Sequence, residues 1–192
     1  MVGAWNVNVV VNAMPQKVAT AIGKLAETLV GAQYTPIAYL GSQLVNGTNH
    51  AVLAEQYLTT GKDQKNIVLL IFNEKDMDCK LVNIERVVEG GAELGGTQIV
   101  GTTDIPADAQ KVFDHVLAGF VGATVKPFAL LATQVVKGVN YVFAAEVSTV
   151  TAEITKKVAL VTVNDLEKKV VFTDILKSGL HESLGCPLGE WP

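Results

Sequence analysis

Shifted by 91 residues, the sequence lies on itself without a gap. Pro15 falls on Pro106, Gly31-Ala32 on Gly122-Ala123, Pro36 on Pro127 and Ala38 on Ala129. Gln43, Val45, Gly47 and Asn49 fall on Gln134, Val136, Gly138 and Asn140; Ala54-Glu55 falls on Ala145-Glu146, Asn73 on Asn164 and Ile84 on Ile175. Between 15–84 and 106–175 there are 18 identities in 70 positions, where roughly 5 would arise by chance in this composition. The 192 residues therefore hold two copies of one unit of roughly 90 residues, long enough for a core of its own. The joint is the Gly-rich stretch from Glu89 to Gly96, of the kind that links domains. The organisation read from this is a first unit at 1–90, a second at 91–178, and a tail at 179–192 that has no counterpart in the repeat.

Each unit reads the same way. A weak opening strand (Asn6 to Val11; Thr97 to Gly101) precedes a helix, roughly Pro15 to Gln33 and Pro106 to Ala123. Val18, Ala21, Ile22, Leu25 and Leu29 mark one face of the first helix, and Ala109, Val112, Phe113, Val116 and Phe120 mark one face of the second. This is helical spacing with an apolar stripe. Pro15 and Pro106 suit the first turn, Asn12 and Asp104 the N-caps, and Gly31 and Gly122 the left-handed closing residue. Four β-type stretches follow. The last two in each unit are joined by polar turns, residues 73–78 and 164–169. One helix and a meander predict an α+β fold: two tandem units, each one helix wrapped by a four- to five-stranded antiparallel sheet.

Composition narrows the function classes. Apolar residues make up 49% and charged residues 18%, against roughly 25% charged in ordinary globular chains, so disorder is excluded. The net charge of −4 and the absence of any basic cluster argue against a nucleic-acid partner. The run Ile67 to Phe72 is too short to cross a membrane, which takes about 20 residues. The opening Met1-Val2-Gly3-Ala4-Trp5-Asn6 has no basic start and no long apolar core, so a cytoplasmic setting is expected, with secretion by another route left open. Two cysteines, Cys79 and Cys186, make no disulfide framework.

One segment carries a resemblance. Gln134-Val135-Val136-Lys137-Gly138 resembles the Gln-x-Val-x-Gly signature of the cystatins, inhibitors of papain-like cysteine proteases. Lys126-Pro127-Phe128-Ala129-Leu130-Leu131-Ala132-Thr133 before it and Val139-Asn140-Tyr141 after it are similar to the same region of the stefins. Gln43-Leu44-Val45-Asn46-Gly47 repeats the pattern in the first unit. By its residues alone the motif is a turn between two strands. Gly47 and Gly138 supply the positive φ of a tight hairpin, and Val45 and Val136 lie at the tip. The resemblance implies more. This tip, an N-terminal stretch around a glycine (Gly3 in the first unit, Gly95 or Gly96 in the second) and a second hairpin would form a wedge that enters a protease cleft and blocks it without covalent chemistry. The second hairpins, 73–78 and 164–169, depart from the family. They carry no Pro-Trp or Pro-Gly and are charged apart from Met77 and Leu166.

The function expected is reversible competitive inhibition of a papain-like cysteine protease, with the second unit favoured, by a protein that is not an enzyme. The alternative is a binding or scaffold module on the same fold with no protease partner. No cofactor and no metal are expected: the three histidines, His50, His115 and His181, show no ligand spacing. Glu55 and Glu146, like Asn49 and Asn140, read as structural hydrogen-bonding residues. Cys79 reads as a buried strand thiol. Strong β-propensity beside a hairpin tip also raises strand exchange, between the two units or in a dimer, as an expectation.

Overall fold

Strand β4 (Gln64–Lys75) shows what organises the molecule. Its run Ile67-Val68-Leu69-Leu70-Ile71-Phe72 is apolar at every position, and alternate side chains of a strand point to opposite faces. Ile67 and Leu69 bury into one cluster, while Val68, Leu70 and Phe72 bury into another. Both faces of the strand are therefore covered. The computed structural model, which describes residues 3–59, 64–91, 93–150 and 154–177, shows by what.

In chain order the other elements of the first half are β1 (Trp5–Val10), α1 (Gln16–Thr28), β2 (Ala32–Val45), β3 (Gly47–Leu58) and β5 (Asp78–Glu89). The second half has β6 (Thr97–Thr102), α2 (Ala107–Leu117), β7 (Ala123–Val136), β8 (Gly138–Val150), β9 (Ile154–Asn164) and β10 (Val170–Lys177). The strands form two antiparallel five-stranded sheets, ordered β1-β2-β3-β4-β5 and β10-β9-β8-β7-β6. Each sheet takes its described strands from one half of the chain, and the joint falls between Glu89, the end of β5, and Thr97, the start of β6.

One face of each sheet carries its helix. Val18, Ala21, Ile22 and Leu25 of α1 bury against Tyr39, Val52, Ala54, Val68, Leu70 and Phe72. Ala109 and Phe113 of α2 bury against Leu130, Phe143, Ala145, Val161 and Val163. The opposite faces bury against each other. The largest cluster unites Val7, Ile37, Leu40, Ala51, Leu53, Ile67 and Leu69 of the first half with Ala129, Leu131, Ala144, Val158, Leu160 and Leu176 of the second.

This corrects the expected α+β architecture of two tandem cystatin-like units, each a helix wrapped by its own sheet. The protein is mostly antiparallel β. Its two described helices have only 13 and 11 residues, and the main core lies between the sheets. The physical reason is the run in β4 and its counterpart in β9, where Val158 and Leu160 face the other sheet while Val161 and Val163 face α2. A strand covered by a helix alone would leave its second face polar.

Strand β6 packs on one end of the first sheet. Ile99 of β6 lies against Gly90, just beyond the end of β5, and Gly90 lies against the Lys65 carbonyl near the start of β4. Two residues on, Gly101 lies against Glu55 of β3 and Ile37 of β2. Strand β6 thus meets the first sheet at the end where β5 finishes and β4 begins, opposite the β4–β5 turn.

The helices are shorter than their sequence stripes suggest, and their ends differ from expectation. Pro15 and Pro106 occupy the N-cap positions, with no side-chain cap hydrogen bond, in place of Asn12 and Asp104. Their ψ of 132° and 141° is extended, and the missing N–H costs nothing there. At the other end, Gly31 and Gly122 take positive φ (97° and 92°) beyond the helix. There the chain turns into β2 and β7, whose pairing starts at Ala32↔Leu58 and Ala123↔Thr149. Phe120, expected on the helix, lies past its end and stacks on Phe172 with centroids 5.2 Å apart. The expected tail at 179–192, with Trp191-Pro192, lies outside the described residues.

Candidate functional site

The two Gln-x-Val-x-Gly segments form the β2–β3 and β7–β8 hairpin tips. Val45 pairs with Gly47 and Val136 with Gly138. Both glycines have positive φ, 100° and 84°. A β-carbon on Gly47 would sit 2.5 Å from the Glu74 carbonyl oxygen, and one on Gly138 would sit 2.5 Å from Asp165 Oδ1. Each tip therefore lies directly against the neighbouring turn, β4–β5 or β9–β10, and glycine is required both for the bend and for the close approach.

A row of side-chain amides joins these elements. In the first sheet Trp5, Gln43, Asn49 and Asn73 are register partners across β1, β2, β3 and β4. Asn73 Nδ2 donates to Asn49 Oδ1 (2.9 Å), Asn49 Nδ2 to Gln43 Oε1 (3.1 Å) and Gln43 Nε2 to the Gly3 carbonyl (3.0 Å). The Gly3 N–H in turn donates to the Leu44 carbonyl at 2.8 Å. The second sheet repeats the row. Asn164 Nδ2 donates to Asn140 Oδ1 (2.9 Å), Asn140 Nδ2 to Gln134 Oε1 (3.4 Å) and Gln134 Nε2 to the Gly95 carbonyl (3.0 Å). Each row fastens an N-terminal segment, the first hairpin and the strand leading to the second hairpin into one ridge. Amide side chains suit the task because each can donate and accept at once.

The structure thus brings together Gly3, Gln43 and Gly47, and likewise Gly95, Gln134 and Gly138. Of the two glycines read for the second unit, Gly95 meets the glutamine. Gly96 faces the linker, where its N–H donates to the Glu93 carbonyl at 2.7 Å. The ridges carry exposed apolar side chains: Leu44 (72% exposed) and Met77 (89%) in the first, Val135 (68%), Leu166 (61%) and half-exposed Val136 in the second. Asn46 and Lys137 are exposed at the tips.

Asn73 and Asn164 were not read as site residues, although both recur in the repeat. Asn164 does more than extend the row: its Oδ1 accepts from the N–H groups of Leu166 (3.1 Å) and Glu167 (2.7 Å), and its Nδ2 also donates to the Lys137 carbonyl (3.2 Å). In the first half Asp76 and Met77, with φ of 51° and 66°, make the tight two-residue turn by themselves.

The charged groups are arranged as pairs. Glu55 meets Lys65 at 2.9 Å and Glu146 meets Lys156 at 3.3 Å. Lys169 lies 2.8 Å from Glu167, which holds the Glu167 carboxyl below its ordinary range, and Lys137 lies 3.8 Å from the same group. One buried cluster belongs to the first half alone. His50 Nδ1 is 3.0 Å from the Tyr39 hydroxyl, and its Nε2 is 3.3 Å from Glu74 Oε2. Lys17 of α1 pairs with Glu74 and lowers its pKa. Burial pushes the His50 pKa down, with Glu74 opposing. The repeat places Tyr141, Leu130 and Asp165 where His50, Tyr39 and Glu74 stand. Cys79 is partly buried, and burial raises its pKa, which is not the setting of a nucleophile. Among the described residues no group of His, Cys, Asp and Glu is placed to hold a metal ion, and no helix is long and apolar enough to cross a membrane.

Comparison with protein families, curated proteins and solved structures returns no match. What the ridges can do chemically rests on their own composition: exposed apolar tips on a backbone fixed from behind by amides.

Proposed function

We propose that the ridges are docking surfaces that enter the cleft of a papain-like cysteine protease and block it reversibly. The observation that carries this reading is the amide row Gly95–Gln134–Asn140–Asn164 and its copy Gly3–Gln43–Asn49–Asn73. It pre-orders three loops into one edge, so little conformational entropy remains to be lost on binding. The first hairpin of each ridge presents exposed apolar side chains, Leu44 in one and Val135 and Val136 in the other, which cost little to desolvate. The resemblance of Lys126 to Tyr141 to the stefin segment supports the protease as partner, and it favours the second ridge. Inhibition of this kind needs no nucleophile, base or cofactor, only a fit that leaves no room for substrate.

The test is titration of papain and a cathepsin with the full chain and with the double variant Leu44→Glu/Val135→Glu. Both side chains are largely exposed, so the variant keeps the fold. Tight inhibition by the full chain, weakened about 30-fold or more in the variant, is the expected result; that factor corresponds to about 2 kcal/mol, the scale of an interface anchor. No inhibition at micromolar protein would leave the ridges as docking surfaces for a partner other than a protease.

A further inference from the structure

The ridge is complete twice, and the two copies lie at opposite ends of β5. The first includes the β4–β5 turn, where β5 begins. The second forms beside Thr97, which pairs with Gln134 and whose carbonyl accepts the Gly91 N–H at 2.9 Å, just beyond the end of β5. Gly90 is held there by Asn66 Oδ1, which accepts its N–H at 3.2 Å, and by Gln64 Nε2, which donates to its carbonyl at 3.0 Å. The shared inter-sheet core fixes this relation, since Leu40 and Leu131 are both fully buried in it. The ridges also differ in charge at the hairpin tip. The residue before the tip glycine is Asn46 in the first ridge and Lys137 in the second.

We propose, building on the protease reading above, that one chain holds two protease molecules at once, one on each ridge. The ridges are not equivalent: the cation on the second favours a cleft with acidic groups at its rim. The side chain of Lys137 is 79% exposed; its ion pair with Glu167 Oε1 is long, 3.8 Å, while Lys169 holds Glu167 Oε2 at 2.8 Å. An exposed pair this long contributes little, so a partner's carboxylate can take Lys137 over. A charge at a rim acts through long-range attraction, which salt screens over about 10 Å at 0.1 M. The neutral amide of Asn46 has no such effect.

The experiment uses the full chain with papain whose active-site thiol has been carboxymethylated, followed by sedimentation, together with inhibition of active papain and of a more acidic papain-like protease at low and high salt. Leu44→Glu leaves the second ridge alone, and Val135→Glu leaves the first. At concentrations above the affinity of an intact ridge and below that of a substituted one, the expected results are a two-to-one complex for the full chain, one-to-one for each variant, and none for the double variant. Inhibition of the acidic protease through the second ridge should weaken several-fold as salt rises. That response should vanish in Leu44→Glu/Lys137→Asn and be absent in Val135→Glu. A full chain that inhibits yet stops at one protease overturns the two-partner inference while leaving the inhibitor reading intact. Equal salt responses through both ridges overturn the role of Lys137. A chain that neither binds nor inhibits either protease overturns the inhibitor reading and this inference with it.

Discussion

Asn164 Nδ2 donates to Asn140 Oδ1 at 2.9 Å, and 91 residues earlier Asn73 donates to Asn49 at the same 2.9 Å. A side-chain hydrogen bond reproduced to this degree in two diverged copies marks the place where backbone position matters most. In both copies that place is the end of the sheet where three loops meet.

Replacing Asn164 by Ala tests the row directly. Asn164 is buried, and its removal leaves Asn140 Oδ1, the Lys137 carbonyl and the N–H groups of Leu166 and Glu167 without their partner. Unpaired buried groups cost about 1–3 kcal/mol, so the urea midpoint should fall accordingly. Protease inhibition through the second ridge should weaken by more than the stability loss explains, because the tip loses its support. A variant that unfolds earlier but inhibits as well as the parent at low urea would show that the row serves the fold alone.

The glycines divide into two kinds, and alanine tells them apart. Gly138→Ala puts a β-carbon 2.7 Å from Leu166 Cβ and 2.5 Å from Asp165 Oδ1 at a φ of 84°, so a loss of about 1–3 kcal/mol is expected. Gly23 lies inside α1, where an added β-carbon meets nothing within 4 Å. Gly23→Ala should therefore stabilise the chain by about 0.5–1 kcal/mol. Thermal unfolding of the two variants beside the parent checks both signs.

The local elements of this fold were legible in the residues, and its architecture was not. The repeat, the hairpin glycines and the helix stripes at Val18–Leu25 and Ala109–Phe113 all follow from spacing. The relation of the two halves was not read, although its signal was present. The apolar run Ile67–Phe72 shows a strand buried on both faces, and a single helix can cover only one. The candidate site was read as far as Gln43–Gly47, Gln134–Gly138 and their N-terminal glycines. Asn73 and Asn164 were passed over because an asparagine at the mouth of a polar turn looks like turn chemistry. Only the strand register reveals them as the last members of a cross-strand row.

His50 gives the stability a pH dependence. Burial lowers its pKa below the unfolded value, which lies near 6.5. Its contribution to stability is thus complete above about pH 6.5 and is lost as the pH falls toward the folded value, because the unfolded chain then binds more protons. Glu74, whose pKa Lys17 depresses, adds a loss in the same direction at lower pH. The groups facing His50 are Tyr39 from β2 and Glu74 from β4, with Lys17 of α1 reaching Glu74. His50→Gln keeps a polar partner for the Tyr39 hydroxyl and removes the titration. The parent should lose stability between pH 7.5 and 5.5 by urea unfolding, and the variant should lose clearly less. Equal losses in the two proteins would assign the slope to other groups.

The shared core predicts that the halves unfold together. Leu131 belongs to the second half and is fully buried in the cluster that also holds Leu40 and Leu53 of the first, with Trp5 packed against its margin. Leu131→Ala should cost about 2–5 kcal/mol through lost burial and the cavity left behind. That loss should reach the first half. In a Trp191→Phe background Trp5 is the lone tryptophan, and its fluorescence reports the first sheet, whereas far-ultraviolet circular dichroism reports the strands of both sheets. Coincident transitions, shifted together by Leu131→Ala, are the expected outcome of a single cooperative unit. If the Trp5 transition stayed in place while the circular dichroism curve split into two steps, the inter-sheet cluster would be a weak contact between two independently stable halves. The fixed relation between the two ridges would then lose its basis.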